Sequence, residues 1–215
     1  MLPMSGTDGP RSVKIGADER TGWSSERPKR AGGPDRPPDI SVRCKVLRPA
    51  EALRYSPGSL LVIASASEED REALADRVVE QKGALLSTAK VRELLAGRVP
   101  DEEMEARAAQ LLDAAVSKRL GANDSTVVVT SGLDPAERER LARLAAAAKR
   151  PRHLILVETA REKVSEDDLA PLNELRRRLD AGELGAEGFD TALRLGGDSI
   201  AELKRIVFRP APRDD

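Results

Sequence analysis

The chain has 215 residues, 36 basic and 37 acidic, and its net charge of −1 provides no global attraction to nucleic acid or to an anionic membrane. Aromatic residues make up 2% of the chain, which leaves few side chains for stacking on bases. A single cysteine and a single histidine exclude a disulfide framework within the chain and argue against a metal centre built on these ligands. With no apolar run of membrane-spanning length and no signal peptide, we expect a cytoplasmic protein that binds neither metal nor membrane.

The composition changes near residue 40. Residues 1–39 contain six Gly and six Pro without a periodic apolar pattern, which predicts a disordered tail. Residues 40–57 are predicted to form a half-exposed lead-in strand, over 40–47, and a linker. Residues 58–208 are predicted to form one domain, and 209–215 a C-terminal tail.

Within this domain, short apolar runs alternate with amphipathic segments. Strands are predicted over 60–63, 84–86, 126–130, 153–157 and 191–195, with a final apolar run at 206–208. Helices are predicted over 68–82, 90–95, 101–120, 134–149, 165–180 and 199–204. Because the strands are mostly continuous apolar runs, we predict a three-layer α/β sandwich around a mostly parallel five-stranded sheet.

The turn after the first strand of this domain carries acidic residues at a place where phosphate commonly binds. Leu60 to Ile63 is a buried-looking strand, and Ser67-x-x-Asp70 is a capping box at the start of the next helix. A strand that leads directly into a helix N-terminus commonly binds phosphate through free backbone N–H groups and the helix dipole. Here Glu68, Glu69 and Asp70 occupy that end, where they stabilise the helix and repel phosphate.

Two further turns and one late element extend this pattern. Ser87-Thr88-Ala89-Lys90-Val91-Arg92 follows the second strand, Val128 to Leu133 follows the third, and Glu187-Gly188-Phe189 comes near the end. In element order and spacing, residues 59–208 resemble the P-loop kinase domain of the polynucleotide kinase and AAA-family ATPase-like group. The resemblance implies a P-loop NTPase-like fold with a GxxxxGK[ST] phosphate loop, a Ser-Ser-Asp-x-x-Arg motif and an Asp-Ala-Thr-Asn-like turn.

The polar residues that this family uses are mostly replaced. The loop glycines correspond to Ala64 and Glu69, the phosphate-binding lysine to Asp70, and the magnesium-binding hydroxyl to Arg71. The proton-accepting aspartate corresponds to Ala89, and the aspartate of the third motif to Val129. The resemblance therefore implies a pseudokinase, with no catalytic residue and neither ATP nor magnesium as cofactor.

A few polar residues remain at family positions and are candidates for residual anion or partner contact: Ser87, Thr88, Arg92, Ser131 and Arg161. A salt bridge is the favoured interpretation for Arg92, and helix capping for Ser87 and Thr88. Lys118, Arg119 and the run from Lys149 to Arg152 could form a basic edge, although a charge run is usually a solvated face.

The function predicted from the sequence is that of a non-catalytic scaffold or regulatory subunit that binds another, unidentified protein. The alternatives are a diverged enzyme that binds ATP and magnesium, such as a 5′-hydroxyl polynucleotide kinase or an ATPase, and a weak nucleic-acid binder without turnover. Thermal melting with magnesium-ATP separates these classes, because a ligand that prefers the native state raises the midpoint.

Overall fold

The computed structural model describes residues 38–210. The predicted N-terminal tail, except for its last two residues, and the chain after residue 210 lie outside the described residues. The eight described strands are β1 (Lys45–Val46), β2 (Ala52–Tyr55), β3 (Leu60–Ala64), β4 (Leu85–Ser87), β5 (Thr126–Val129), β6 (Arg152–Val157), β7 (Thr191–Leu195) and β8 (Arg205–Phe208).

Six of these strands form one sheet in the order β4-β5-β3-β6-β7-β1, and every pair in it is parallel. The α/β class and the parallel sheet predicted from the sequence are confirmed. The predicted five strands become six because Lys45–Val46 adds to the β7 edge. Of the predicted strand over 40–47, only these two residues are paired. Strand β3, at the centre, is buried over all five of its residues, as its continuous apolar run predicts.

The sheet is covered on both faces. The helices are α1 (Glu68–Val78), α2 (Thr88–Leu95), α3 (Asp101–Gly121), α4 (Pro135–Ala147), α5 (Glu166–Asp180) and α6 (Asp198–Glu202). Leu112, Leu141 and Leu175 from α3, α4 and α5 form the core against one face. The other face packs against Leu74 of α1 and against a small parallel sheet made of β2 and β8.

Two predictions about element boundaries are wrong. Helix α1 ends at Val78 and not at residue 82. Val79 is extended and buried because it forms an isolated bridge with Ile206. The predicted linker contains β2, a four-residue strand that pairs with β8 from the far end of the chain. Within residues 38–210, no helix is long and apolar enough to cross a membrane.

Candidate functional site

The turn between β3 and α1 is short, and its polar groups bond to each other. Only Ser65, Ala66 and Ser67 separate the strand from the helix. The Oγ of Ser67 accepts a hydrogen bond from the backbone N–H of Asp70 at 3.2 Å, as expected for an N-cap. The Ser67 N–H donates to Ser65 Oγ at 3.3 Å and to Thr159 Oγ1 at 3.2 Å. Two of the N–H groups that could bind phosphate are therefore already satisfied by side chains.

The predicted capping box is only half formed. In a complete capping box the Ser67 N–H would donate to the Asp70 carboxylate, but here it donates to the hydroxyls of Ser65 and Thr159. The Asp70 carboxylate instead lies 3.4 Å from Lys163 Nζ, and the Glu69 carboxylate lies 3.1 Å from the same nitrogen. These two carboxylates raise the pKa of Lys163 above its usual value. Asp70 and Glu69 thus face a cation and not an anion.

Arg71 occupies the interior of the site. Its side chain is 3% exposed, and it donates from Nη1 to Ser65 O at 3.2 Å and from Nη2 to Ser131 O at 2.6 Å. Nη2 also lies 3.2 Å from the Glu68 carboxylate. Burial lowers the pKa of this guanidinium, and Glu68, Glu72 and Glu137 oppose that effect. Arg71 therefore ties the turn after β3 to the turn after β5.

Glu137 organises the turn after β5. Its carboxylate is buried and accepts from the Ser131 N–H at 3.0 Å, from Ser131 Oγ at 2.6 Å and from Thr88 Oγ1 at 3.3 Å. Thr88 also donates to the backbone carbonyl of Val129 at 3.2 Å. Ser131 and Thr88 therefore belong to one cluster around Glu137, a residue that no pattern in the sequence marked as part of the site.

The other retained residues have structural partners. Ser87 caps α2 by accepting from the Lys90 N–H at 3.2 Å, and its hydroxyl also donates to Glu72. Arg92 lies 2.8 Å from the Glu105 carboxylate and 4.0 Å from that of Glu68. The bond to Glu105 is the main reason why the pKa of Arg92 is raised. The capping role of Ser87 and the salt bridge of Arg92, both favoured from the sequence, are present in the structure.

Arg161 and Ala89 do not join this cluster. Arg161 is exposed in a turn, Arg161–Lys163, and forms no ion pair with any residue of the described range. Lys163, two residues later, is the side chain of this turn that reaches the acids. No signal in the sequence distinguishes Lys163 from Arg161, because the choice depends on how the turn is oriented. Ala89 is a half-buried residue of α2 without a polar side chain.

Two clefts adjoin the turn. A cleft of about 740 Å³ is lined by Arg77, Glu158, Thr159, Ala160, Gly197, Ile200 and Ala201. Arg77 donates to the carbonyls of Leu203 and Ile200, and Glu158 binds Arg176 and Arg194, so both charged lining residues already bond within the protein. A smaller cleft of about 290 Å³ borders Thr88, Ser131 and Glu137. Among residues 38–210 there is no group of three or more His, Cys, Asp or Glu side chains that could hold a metal ion.

Comparison with known proteins gives a weak structural likeness. No protein-family model matches this chain, and no curated protein matches it significantly. A solved structure described as a "putative kinase" from Chloroflexus aurantiacus is 17% identical, with a TM-score of 0.42, over 66% of this chain and 85% of that one. The tunicamycin resistance protein from Deinococcus radiodurans is 15% identical, with a TM-score of 0.38, over 67% of this chain and 91% of that one. Similarity this low supports no conclusion about activity or substrate.

Proposed function

We propose that this chain is a non-catalytic protein with a P-loop kinase-like fold, and that it acts by binding another protein as a scaffold or regulatory subunit. The observation that carries the proposal is the position of Arg71. Its guanidinium lies between Ser65 O and Ser131 O, at the carboxyl ends of the adjacent strands β3 and β5. In open α/β sheets, ligands bind outside the carboxyl ends of the strands. Here the side chain of Arg71 occupies that position.

The charges around the turn also argue against phosphoryl transfer. That reaction depends on positioning the phosphates and on stabilising negative charge with cations and N–H donors. Glu68, Glu69 and Asp70 place carboxylates at the start of α1, and Lys163 neutralises two of them. The buried Arg71 is held by backbone carbonyls, so its charge is not directed toward an incoming phosphate. Neither requirement is met by these residues.

Thermal melting of the full chain with millimolar magnesium-ATP tests the non-catalytic part of the proposal. Binding at a ligand concentration equal to the dissociation constant would add about 0.4 kcal/mol, which corresponds to roughly 1–2 °C in a chain of this size. We expect no change beyond that seen with magnesium chloride and sodium triphosphate together. An ATP-specific rise accompanied by phosphate release would favour the diverged enzyme.

The protein-binding part needs a separate test. Affinity capture from the native cell, followed by mass spectrometry, should return one partner in stoichiometric amount. Capture in the presence of excess magnesium-ATP is the control, because a partner that binds a non-catalytic surface is retained. A partner released by ATP, or recovery of nucleic acid alone, would contradict the proposal.

A further inference from the structure

Four basic residues lie near the amino-terminal ends of the main-sheet strands, opposite the turn whose carbonyl at Ser65 bonds to Arg71. Lys118 and Arg119 lie in the last turn of α3, and Lys149 and Arg150 follow the end of α4. We call these four residues the basic edge. These four residues, together with Arg152, were predicted from the sequence as a possible basic edge, with a solvated charge run as the favoured interpretation. Contacts between the end of α3 and the end of α4 would make the four residues one surface.

One side-chain bond joins the segments: Arg150 Nε donates to the carbonyl of Leu120, in α3, at 3.1 Å. Arg119 Nη2 donates to the carbonyl of Ser125, in the loop that follows α3, at 3.0 Å, and its Nε is buried without a hydrogen-bond partner. The Nη atoms of Arg150 are not used by its bond to Leu120. Within the described range of the chain, none of the four residues forms an ion pair with a carboxylate. The basic edge is therefore a cluster of cations without ion pairs in residues 38–210, and one exposed acid, Asp124, lies beside it with its N–H bonded to the carbonyl of Arg119 at 2.9 Å.

Lys149 has an unusual backbone conformation. Helix α4 ends in a Schellman motif, in which the Lys149 N–H bonds to Ala146 O and the Arg150 N–H to Ala145 O. This motif requires a left-handed residue, and Lys149 has φ of 57°. Helix α3 ends in the same motif, with Asn123 at φ of 64°, and Asn is a residue that tolerates this conformation. A lysine is less stable there than glycine would be.

Helix electrostatics explain only part of the basic edge. The negative end of a helix dipole favours cations in the last turn, which accounts for Lys118 and Arg119. Arg150 bonds to the carbonyl of Leu120, which also accepts from the Asn123 N–H at the end of α3, and this is a structural role. Lys149 is exposed, and no hydrogen bond from its Nζ to another described residue is present. Lys149 thus places a positive charge on a residue with a strained, left-handed backbone, and no described residue bonds to that charge.

The chemistry of the basic edge fits a carboxylate-rich peptide better than a nucleic acid. Two N–H groups on the unbonded side of a guanidinium can donate to both oxygens of one carboxylate. Stacking on bases would require exposed aromatic rings, whereas Tyr55, Phe189 and Phe208, the aromatic residues of the described range, are all buried.

We propose that the basic edge is a docking surface for an acidic segment of a protein partner. This inference rests on the proposed function, because it names the chemistry of the partner that a non-catalytic scaffold would bind. It places the binding surface at the amino-terminal ends of β3, β5 and β6. The filled turn lies at the opposite ends of these strands.

Fluorescence anisotropy with a labelled octaglutamate peptide tests the proposal on the full chain at low and at physiological salt. We expect saturable binding that weakens with salt. The double variant Lys118→Gln/Lys149→Gln should weaken binding by roughly 2- to 30-fold, the range that two exposed charge pairs contribute. The variant Lys90→Gln/Lys204→Gln removes the same charge elsewhere on the surface and should bind like the wild type. A loss of equal size in both variants, or no binding by the wild type, would overturn the proposal.

The single variant Lys149→Gly separates a binding role from a structural one. Glycine relieves the left-handed strain, so the thermal midpoint should rise by roughly 2–4 °C while affinity for the peptide falls. A lower midpoint would mean that the lysine stabilises the fold, and the proposal would lose its main support.

A labelled DNA duplex of equal total charge is the second probe. Tighter binding of the duplex than of the peptide would replace the protein partner by nucleic acid and overturn the inference. None of these outcomes depends on magnesium-ATP. A failure here is therefore distinct from the ATP-dependent melting shift that would overturn the non-catalytic function.

Discussion

Replacing Arg71 by Ala tests whether this side chain is an internal substitute for a bound ligand. The change removes two hydrogen bonds from a charged donor to buried turn carbonyls, Ser65 O and Ser131 O. Each such bond contributes about 1.5–3 kcal/mol, and part of that is offset because the guanidinium no longer has to be desolvated. We expect the free energy of unfolding to fall by about 2–4 kcal/mol, or roughly 4–16 °C in the thermal midpoint.

Arg77 provides a matched control on the same helix. Its guanidinium also donates to two carbonyls, Leu203 O at 2.8 Å and Ile200 O at 2.6 Å, but the residue is exposed. Water can replace the lost donor there, so Arg77→Ala should cost about 0.5–1.5 kcal/mol. Urea denaturation of both variants gives the comparison. Equal losses would refute the interpretation that burial makes Arg71 special.

Chemical rescue adds a specific readout for the Arg71→Ala protein. The vacated space keeps two carbonyl acceptors, which a free guanidinium ion can satisfy. Millimolar guanidinium chloride should therefore raise the midpoint of this variant relative to the same concentration of sodium chloride, and it should not raise that of Arg77→Ala. If the variant instead gained magnesium-ATP binding, Arg71 would be blocking a working nucleotide site, and the non-catalytic proposal would fail.

Three further predictions concern titratable groups. Asp70→Lys places a cation at the positive end of α1 and beside Lys163, so the free energy of unfolding should fall by about 0.5–2 kcal/mol in urea melts, without gain of phosphotransfer activity. Burial lowers the pKa of His153 to about 4 from 6.5. As pH falls from 7 to 4, the unfolded state therefore binds a proton before the folded state does. In urea melts the free energy of unfolding of the wild type should fall by about 3 kcal/mol over this range, and that of His153→Gln should not show this fall. Burial and Asp190 raise the pKa of Cys44 to about 11, so iodoacetamide at pH 8 should modify it roughly a hundredfold more slowly than free cysteine.

Each of these has a distinct contradicting result. The swap Asp70→Lys/Lys163→Asp should recover stability, and failure to do so would show that the pair does not interact. An identical pH dependence in the wild type and in His153→Gln would mean that the ring, stacked on Tyr55 at 4.3 Å between centroids, is hydrated in the folded state. Rapid alkylation of Cys44 would mean that the thiol is more exposed than its contacts indicate.

The sequence predicted the parts of the fold that depend on apolar burial. Leu60 to Ala64 is a continuous apolar run, and such a run has few alternatives to a central strand. Asp134 followed by Pro135 marked the start of α4 correctly, because a cap and an N1 proline are local signals. Strand β2 was missed because its partner β8 lies about 150 residues away, and four residues of mixed polarity carry too weak a periodic signal.

The site was predicted less well, for a physical reason. The family resemblance matched Arg71 to the magnesium-binding hydroxyl but did not indicate that the guanidinium turns inward to two carbonyls. The same limit applies to Glu137, which bonds to Ser131 and Thr88 as well as belonging to the first turn of α4. The direction of a long side chain depends on which neighbouring groups lack partners, and those groups are known only once the strands are paired.

The arrangement of the core explains how the fold can persist without a phosphate at the turn. The two apolar clusters are formed by strand and helix residues on either side of the sheet, and none of their members belongs to the polar network around Arg71. Only the backbone groups at the carboxyl ends of β3 and β5 need a partner, and a single guanidinium supplies two bonds there in every folded molecule. A ligand would stabilise the turn only in proportion to its concentration, whereas a covalently attached donor does so always. The chain itself therefore stabilises this turn in every folded molecule, as the proposed non-catalytic function requires.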